Sequence, residues 1–402
     1  MKKILTLNNT IQDYAWGSTT AIPELMGLTP TGLPQAELWM GAHPKAPSRV
    51  REAAGEISLI DWIGRQPEAT LGKSAAERFQ NQLPFLFKVL AAAEPLSIQA
   101  HPSREAAREG FERENRQEIP LNVPHRNYKD PNHKPECICA LTAFWALSGF
   151  RRVLDIIGLG RKLCPDALRA EWNDLETASN PDGLKRFFRY LMTLTEDRRT
   201  GVIQETVANA AAQQDDNPIC RWILTLHNAY PEDIGVLSPM LLNLVCLEPG
   251  HAMFLPAGRL HSYLDGVGIE LMANSDNVLR GGLTPKHIDV PELLNRLDFE
   301  NREVRIIHPE KKDDHEWVYP TPAEEFVLSV ISMRDEATAE FSAESIQILL
   351  CTEGEVVFTL PRTDQPLEIA KGMSVVVPAA VGSYRISGRG RLYKASIPLE
   401  TR

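Results

Sequence analysis

The chain has 402 residues and a formal net charge of −10, with 43% hydrophobic and 24% charged residues. Domains contain roughly 100–200 residues, so two or three domains with sizeable apolar cores are expected. The negative charge, without any long basic run, argues against a nucleic acid or an anionic membrane as partner. If the substrate is an anion, the binding site must therefore supply its own positive charge.

The cysteines and the N-terminus favour a protein that stays in a reducing compartment. Six cysteines are scattered without a CxxC pair, which favours free thiols over disulfides. The apolar run at 4–7 is too short for a signal peptide, and no stretch reaches the roughly 18 apolar residues of a membrane span. We expect a soluble, cytoplasmic protein, and a monomer.

The first part of the chain, residues 1–150, mixes short apolar runs with proline and glycine, which is typical of strands joined by loops. The runs at 85–102 and 133–150 are examples. One helix is expected after Ser103, because its hydroxyl can cap the first turn of the helix-forming segment that follows.

The pattern then changes twice. Residues 151–232 carry apolar side chains at helical spacing, which predicts an α-helical insertion. Strand patterns return from about residue 235. The polar, proline-containing stretch 308–325 is typical of a linker, and the remaining residues again predict short strands.

A turn pattern occurs twice in the chain. Gly250–His261 reads G-x5-P-x-G-x2-H, and Gly372–Ser383 repeats the glycine and the proline without the histidine. The first copy resembles the second motif of cupin barrels, except that Asp265 replaces the final asparagine. The predicted fold is therefore mainly β with a helical insertion: two cupin-like jelly-roll (double-stranded β-helix) units plus an α-helical domain.

We expect three parts. They are a discontinuous metal-binding catalytic cupin domain (1–150 and 233–320), the α-helical insertion (151–232) and a C-terminal cupin-like domain without metal (321–402).

Strand alternation groups the polar residues that could bind a metal. Side chains two residues apart share one face of a strand, which gives three sets: Ser97, Gln99 and His101; Lys134 and Glu136; His261 and Tyr263. If these strands line one barrel, two imidazoles, one carboxylate and one amide could bind a divalent cation, and this donor set suits zinc. The neighbouring cysteines at 137 and 139 face away from Glu136 and are interpreted as buried hydrophobes.

Six ordered sequence blocks resemble type I phosphomannose isomerases (mannose-6-phosphate isomerases). They are YAWGS (14–18), ELWMGAHP (37–44), LSIQAHP (96–102), YKDPNHKPE (128–136), HSYLDG (261–266) and NSDNVLRGGLTPK (274–286). The resemblance implies interconversion of mannose 6-phosphate and fructose 6-phosphate, in mannose metabolism and the supply of GDP-mannose precursors. It also implies one zinc ion per chain.

The resemblance also implies residue roles. The zinc ligands would be Gln99, His101, Glu136 and His261. Arg280 would be catalytic, and the pocket would contain Lys134, Tyr263, Glu270, Asp276 and Lys286, with Lys88 and Ser97 near the substrate phosphate. Trp16 and Trp39 could form a wall of the pocket.

Aldose–ketose isomerisation moves a proton between C1 and C2 through an enediolate. Zinc and Arg280 could stabilise the negative charge on the sugar oxygens. The base stays open between Lys134, Glu270 and Asp276, and His133 is a weaker candidate because it should face away from Glu136. Positive partners for the phosphate would be Lys88, Arg280 and Lys286.

Two other functions fit part of the pattern. His101, Glu136 and His261 also form a two-histidine, one-carboxylate set, as in non-haem iron oxygenases built on cupin barrels. Gln99 as a fourth ligand and the lysine and arginine set argue against that enzyme class. A sugar-phosphate sensor without catalysis is the second alternative, and it would have no use for Lys134 beside the metal.

Overall fold

The computed structural model describes residues 2–52, 55–213, 217–300, 303–334, 337–361 and 363–399. Its strands are β1 (Leu5–Asn8), β2 (Thr10–Gln12), β3 (Glu37–Gly41), β4 (Arg49–Glu52), β5 (Gly55–Ser58), β6 (Phe85–Ala92), β7 (Ile98–Ala100), β8 (Glu136–Ala140), β9 (Phe144–Phe150), β10 (Leu242–Leu247), β11 (Ala252–Leu255), β12 (His261–Ala273), β13 (Leu279–Gly282), β14 (Glu310–Lys311), β15 (Glu316–Tyr319), β16 (Val327–Met333), β17 (Thr338–Ala343), β18 (Gln347–Leu360), β19 (Thr363–Ala370), β20 (Ser374–Val377) and β21 (Gly382–Ser396).

The helices are concentrated in the middle of the chain. They are α1 (Ala21–Leu25), α2 (Leu59–Arg65), α3 (Pro67–Leu71), α4 (Lys73–Arg78), α5 (Arg104–Arg116), α6 (Val153–Leu163), α7 (Arg169–Thr177), α8 (Pro181–Met192), α9 (Glu196–Ala211), α10 (Pro218–Ala229), α11 (Ser238–Leu241) and α12 (Val290–Arg296), with 3-10 turns at Asp166–Leu168, Ile234–Leu237 and Ala379–Val381. Within the described residues, no helix has both the length and the apolar character needed to cross a bilayer.

The strands form two antiparallel sheets. The ten-stranded sheet runs β10-β9-β12-β6-β3-β2, with β7 and β8 also on β12, β11 on β8 and β13 on β7. The eleven-stranded sheet runs β14-β15-β16-β21-β18-β20-β1-β4-β5, with β17 on β21 and β19 on β18. Neither path of pairing closes on itself in the part of the chain that the structure describes. A mainly β fold with a helical insertion, as predicted, is confirmed.

Strand β12 organises the ten-stranded sheet. Its first residues pair with β7 and β9, and the stretch from Gly266 to Ala273 pairs with β6, while Gly268 to Met272 also pairs with β8. Gly266 has a φ of 120°, and a Cβ there would lie 2.6 Å from the Ala143 carbonyl oxygen. Only glycine allows this close approach, which lets one strand exchange its partners along its length.

The helices predicted for 151–232 are present, as α6 to α10. They pack on the β9 region of the ten-stranded sheet through aromatic contacts: Phe188 of α8 meets Phe150 edge-on, with ring centroids 5.3 Å apart. Trp222 of α10 lies 5.9 Å from Trp145 of β9. The cap predicted for α5 is also present, because the Ser103 hydroxyl accepts a hydrogen bond from the Ala106 amide.

Strand pairing crosses the predicted domain boundaries. β1, β4 and β5, near the N-terminus, join the eleven-stranded sheet, in which β1 pairs directly with β20. β14 and β15 join the same sheet although they precede residue 321. The boundaries themselves therefore stay a prediction.

The linker predicted at 308–325 is wrong in part, since this stretch contains β14 and β15. One of its polar residues, Glu316, is only 1% exposed and forms a buried ion pair. Its Oε1 lies 2.5 Å from the Nζ of Lys394 on β21. Lys312, which is half exposed, contacts Oε2 at 3.0 Å. Burial alone would raise the pKa of Glu316, but the Lys394 ammonium outweighs it and holds the pKa below its usual value.

We expect Glu316→Ala to destabilise the protein by about 3 kcal/mol or more, because Lys394 would keep a buried charge without its partner. The ion pair with the half-exposed Lys312 contributes much less. Lys312→Ala is therefore the control, and it should lower the free energy of unfolding by about 1 kcal/mol or less. Urea unfolding followed by fluorescence measures both. Equal losses for the two variants would contradict a dominant role for the buried pair.

Candidate metal centre and active site

Three buried side chains point their ligand atoms at one another. One ligand atom each of His101, Glu136 and His261 lies within 4.8 Å of the other two, and all three residues are 1% exposed. His101 Nε2 is 3.3 Å from Glu136 Oε1, and His261 Nε2 is 3.3 Å from Glu136 Oε2. Among the described residues, both Nε2 atoms and Glu136 Oε2 have no hydrogen-bond partner. Buried polar atoms are rarely left so, and a cation between them would satisfy all three.

The opposite ring nitrogens determine the tautomers of both histidines. His101 Nδ1 lies 2.8 Å from the Asn277 carbonyl oxygen, and His261 Nδ1 lies 2.9 Å from the Arg259 carbonyl oxygen. A carbonyl only accepts, so each Nδ1 carries a hydrogen, and in the neutral form of either ring the lone pair is on Nε2, towards Glu136. Burial lowers the pKa of His101 to about 4, so its imidazole is neutral and able to bind a metal at neutral pH.

Neighbouring strands carry the remaining predicted ligand and the predicted catalytic arginine. His261, the first residue of β12, pairs with Gln99 of β7, and Gln99 pairs in turn with Arg280 of β13. Residues directly opposite on antiparallel strands send their side chains to the same face, with Cβ atoms roughly 5 Å apart. Gln99 and Arg280 therefore share the sheet face of His261.

A cavity of about 380 Å³ opens beside the metal group. Eleven predicted residues line it: Trp16, Trp39, Lys88, Ser97, Gln99, Lys134, Glu136, Tyr263, Glu270, Asp276 and Lys286. His101 and His261 are not part of this lining, although they contact Glu136. Arg280 is not part of the lining, and it reaches this region only through its place beside Gln99.

Lys134 is the cation nearest the metal group. Its Nζ lies 3.2 Å from Glu136 Oε1, and its side chain is 11% exposed. This contact compensates part of the buried carboxylate charge while the ammonium remains at the cavity wall. His133 lies in the loop before β8 and is not part of the cavity lining.

Lys88 forms ion pairs with two buried carboxylates. Its Nζ lies 2.8 Å from Glu270 Oε2 and 3.4 Å from Glu37 Oε1, and the residue is 6% exposed. The Trp39 indole donates to the other oxygen of Glu37 at 2.7 Å. Burial disfavours the ammonium, but the two carboxylates outweigh it and raise the pKa of Lys88. Its positive charge is thus already balanced within the protein, and the predicted phosphate contact stays a prediction.

Burial changes the acidity of two neighbouring groups. It raises the pKa of Glu270, against the opposing effect of Lys88, and nearby Glu136 and Glu37 raise it further. Burial also raises the pKa of Tyr263 well above its usual value, and the charge of Glu270 adds to this. A carboxyl group with a raised pKa can exchange protons at neutral pH more readily than an ordinary surface acid.

The cavity also contains residues that sequence reasoning did not single out, among them His43, Lys45 and Tyr230. Asp276 forms an ion pair with Lys45 at 2.9 Å, and the buried His43 lies 3.6 Å from its other oxygen. Burial lowers the pKa of His43. The position of His43 within the sequence block 37–44 could have indicated that it belongs to the site. Tyr230 comes from the end of α10, where nothing in the sequence marks it as part of a site.

We expect His261→Ala to weaken zinc binding by at least about 100-fold, since changes to groups that merely support a metal ligand already cost 10–100-fold. Competition with a chromogenic chelator measures this affinity. His308→Ala replaces an exposed histidine and is the control. Unchanged zinc affinity in His261→Ala would contradict the assignment of His101, Glu136 and His261 as the metal ligands.

Two family models match the chain. The catalytic domain of type I phosphomannose isomerase matches residues 4–153, and the cupin domain of mannose-6-phosphate isomerase matches residues 315–397. The second match confirms the predicted cupin fold near the C-terminus.

Relatives and solved structures cover almost the whole chain. Mannose-6-phosphate isomerase of Escherichia coli is 42% identical over 397 residues, 98% of each chain. The enzyme of Homo sapiens is 32% identical over 400 residues, 92% of each chain. A variant of phosphomannose isomerase from Salmonella typhimurium has a TM-score of 0.93 at 40% identity, covering 98% of this chain and all of the other. A zinc-bound mannose 6-phosphate isomerase has a TM-score of 0.92 at the same identity and coverage. The chain therefore belongs to the type I phosphomannose isomerase family.

Proposed function

We propose that this metal centre and its cavity interconvert mannose 6-phosphate and fructose 6-phosphate, with zinc as the metal. The observation that carries the proposal is the buried group His101–Glu136–His261, whose unpartnered atoms face one another beside a cavity with several ionisable side chains. Relatives that match over nearly the full length are mannose-6-phosphate isomerases.

The donor set fits zinc. Two neutral imidazoles and a carboxylate are common zinc ligands, and the Gln99 carbonyl, next to His261 across the strand pair, is the proposed fourth. When bound, zinc supplies a Lewis acid beside the sugar oxygens at which negative charge develops. A neutral amide ligand leaves the metal more electrophilic than a thiolate would.

Arg280 is the proposed partner of the developing oxyanion. It shares the sheet face of Gln99 and His261, and its guanidinium keeps its charge even though burial lowers its pKa. An interaction that strengthens as charge builds on O1 or O2 stabilises the transition state more than the ground state.

Two groups have environments suited to moving the proton between C1 and C2. Glu270 lines the cavity with a raised pKa, and Lys134 lies beside the metal ligand Glu136. Asp276 is less suited, because Lys45 and His43 already surround its carboxylate. Its proposed role is therefore to orient the substrate at the cavity wall.

The phosphate of the substrate needs a cation that is not already neutralised. Lys286 lines the cavity and is exposed, and no carboxylate within ion-pair distance of it is found among the described residues. It is the proposed phosphate contact, whereas Lys88 is held by two carboxylates. The monomeric state and the cytoplasmic location expected from the sequence stay predictions.

Purified protein loaded with zinc should convert mannose 6-phosphate to fructose 6-phosphate in an assay coupled to NADPH formation. Prolonged treatment with a chelator should abolish turnover, and added zinc should restore it, because the ligand group is incomplete without a cation. Binding of mannose 6-phosphate without conversion would favour a sensor. Stoichiometric iron with oxygen uptake would favour an oxygenase.

Arg280→Ala should lower kcat by about 10²–10³-fold, the typical loss when one donor to an oxyanion is removed. Zinc content should remain stoichiometric, since Arg280 is not a ligand. The exposed Arg305→Ala is the control and should retain full activity. Loss of zinc from Arg280→Ala would contradict the assigned role.

A further inference from the structure

A buried carboxylate far along the chain reaches the back of the metal centre. Glu325 lies just before β16 and is 5% exposed. Its Oε1 is 2.7 Å from His133 Nε2 and 2.7 Å from the Arg104 guanidinium, and these two groups are themselves 2.9 Å apart. One buried carboxylate oxygen thus contacts both groups, while the exposed Glu324 contacts the same guanidinium at 3.2 Å.

The two partners of Glu325 flank metal ligands in the sequence. Arg104 comes three residues after His101, at the start of α5. His133 comes three residues before Glu136 and directly before Lys134. The Glu325 carboxylate therefore connects the segment that follows the ligand His101 with the segment that precedes the ligand Glu136.

The position of Glu325 is itself fixed by the fold. Phe326, the next residue, is fully buried in a core that contains Phe85 of β6 as well as Leu328 of β16. β16 pairs along its length with β21 of the eleven-stranded sheet. A movement of Glu325 would thus require a movement of the packing between the two sheets.

A carboxylate at this depth carries a cost that an apolar residue would avoid. Burial acts to raise the pKa of Glu325, but the hydrogen bond and charge of His133, together with Arg104, lower it, so the group is ionised. Its Oε2 is buried without a hydrogen-bond partner among the described residues.

We infer that Glu325 is a positioning residue for the isomerase site. It acts through His133 and Arg104, and holds the segments that carry Lys134, Glu136 and His101 at the spacing that zinc requires. The inference rests on the proposed function for its effect on turnover, but its effect on metal affinity stands separately.

The test compares Glu325→Gln with Glu324→Gln. Glu324 is the matched control: it contacts the same Arg104 at 3.2 Å, and Arg78 at 3.4 Å, but its side chain is 57% exposed. In Glu325→Gln we expect zinc affinity to fall about 10–100-fold, as for other groups that support metal ligands. At saturating zinc, kcat should fall about tenfold and KM should change less than twofold. Glu324→Gln should match the unmodified protein.

A double variant tests the route of the effect. If Glu325 acts through His133, the loss of zinc affinity in Glu325→Gln with His133→Asn should be smaller than the sum of the single losses. Faster hydrogen exchange at residues 132–138 in Glu325→Gln is also expected. If Glu325→Gln does not fold, His133→Asn takes its place and should show the same loss of zinc affinity.

Unchanged zinc affinity and kcat in Glu325→Gln would overturn the inference, as would an equal loss in Glu324→Gln. Additive losses in the double variant would also overturn it. If the unmodified protein binds zinc but does not isomerise the sugar phosphate, the proposed function fails, while the affinity measurements still decide the role of Glu325.

Discussion

The buried charge of Glu136 is the constraint on which the rest of the site depends. A carboxylate with 1% exposure costs several kcal/mol unless other charges and hydrogen bonds compensate for it. Lys134 compensates one oxygen, while backbone carbonyls hold the rings of His101 and His261 with their Nε2 lone pairs directed at the carboxylate. Lone pairs facing a carboxylate repel it. A divalent cation turns this repulsion into coordination, and the strands that carry these residues are arranged around that requirement.

A second group of buried charges consists of Lys88, Glu37 and Glu270. Lys88 is shared by Glu37 and Glu270, so two buried carboxylates have only one ammonium between them. The excess negative charge, together with burial, raises the pKa of Glu270. The contact predicted between Lys88 and the substrate phosphate stays a prediction, and the structure shows that its ammonium already pairs with two carboxylates. Lys286 is an exposed lysine on the same cavity wall.

The features that could be read from the sequence are those encoded locally. The turn before His261 is an example: Gly258 has a φ of 75°, and a Cβ there would lie 2.8 Å from the Arg296 carbonyl oxygen, so the pattern G-x5-P-x-G-x2-H describes a real steric need. Gln99 and Lys134, which strand alternation grouped with the metal ligands, both line the cavity. The resemblance then supplied what spacing could not, namely the substrate and the role proposed for Arg280.

The features that escaped prediction depend on partners distant in sequence. Glu270 is 182 residues from Lys88, and Glu325 is 221 residues from Arg104. Composition cannot reveal such pairs, because a polar stretch looks like a solvated linker until its partners are known. The stretch 308–325 was misjudged for this reason, and the boundaries between domains are obscured by the same kind of long-range pairing, as when β1 joins β20.

The strands that pair with β12 are distant from it in sequence, which bears on how late in folding the site can form. Its pairing with β6, β7, β8 and β9 brings together segments that are more than 100 residues apart, and the helices α6 to α11 must be accommodated in the intervening loop. Contacts of such separation form slowly, after the entropy of closing a long loop has been overcome. We therefore expect the metal ligands to meet only when most of the ten-stranded sheet has formed. Zinc that binds this assembled site would stabilise the folded state by mass action.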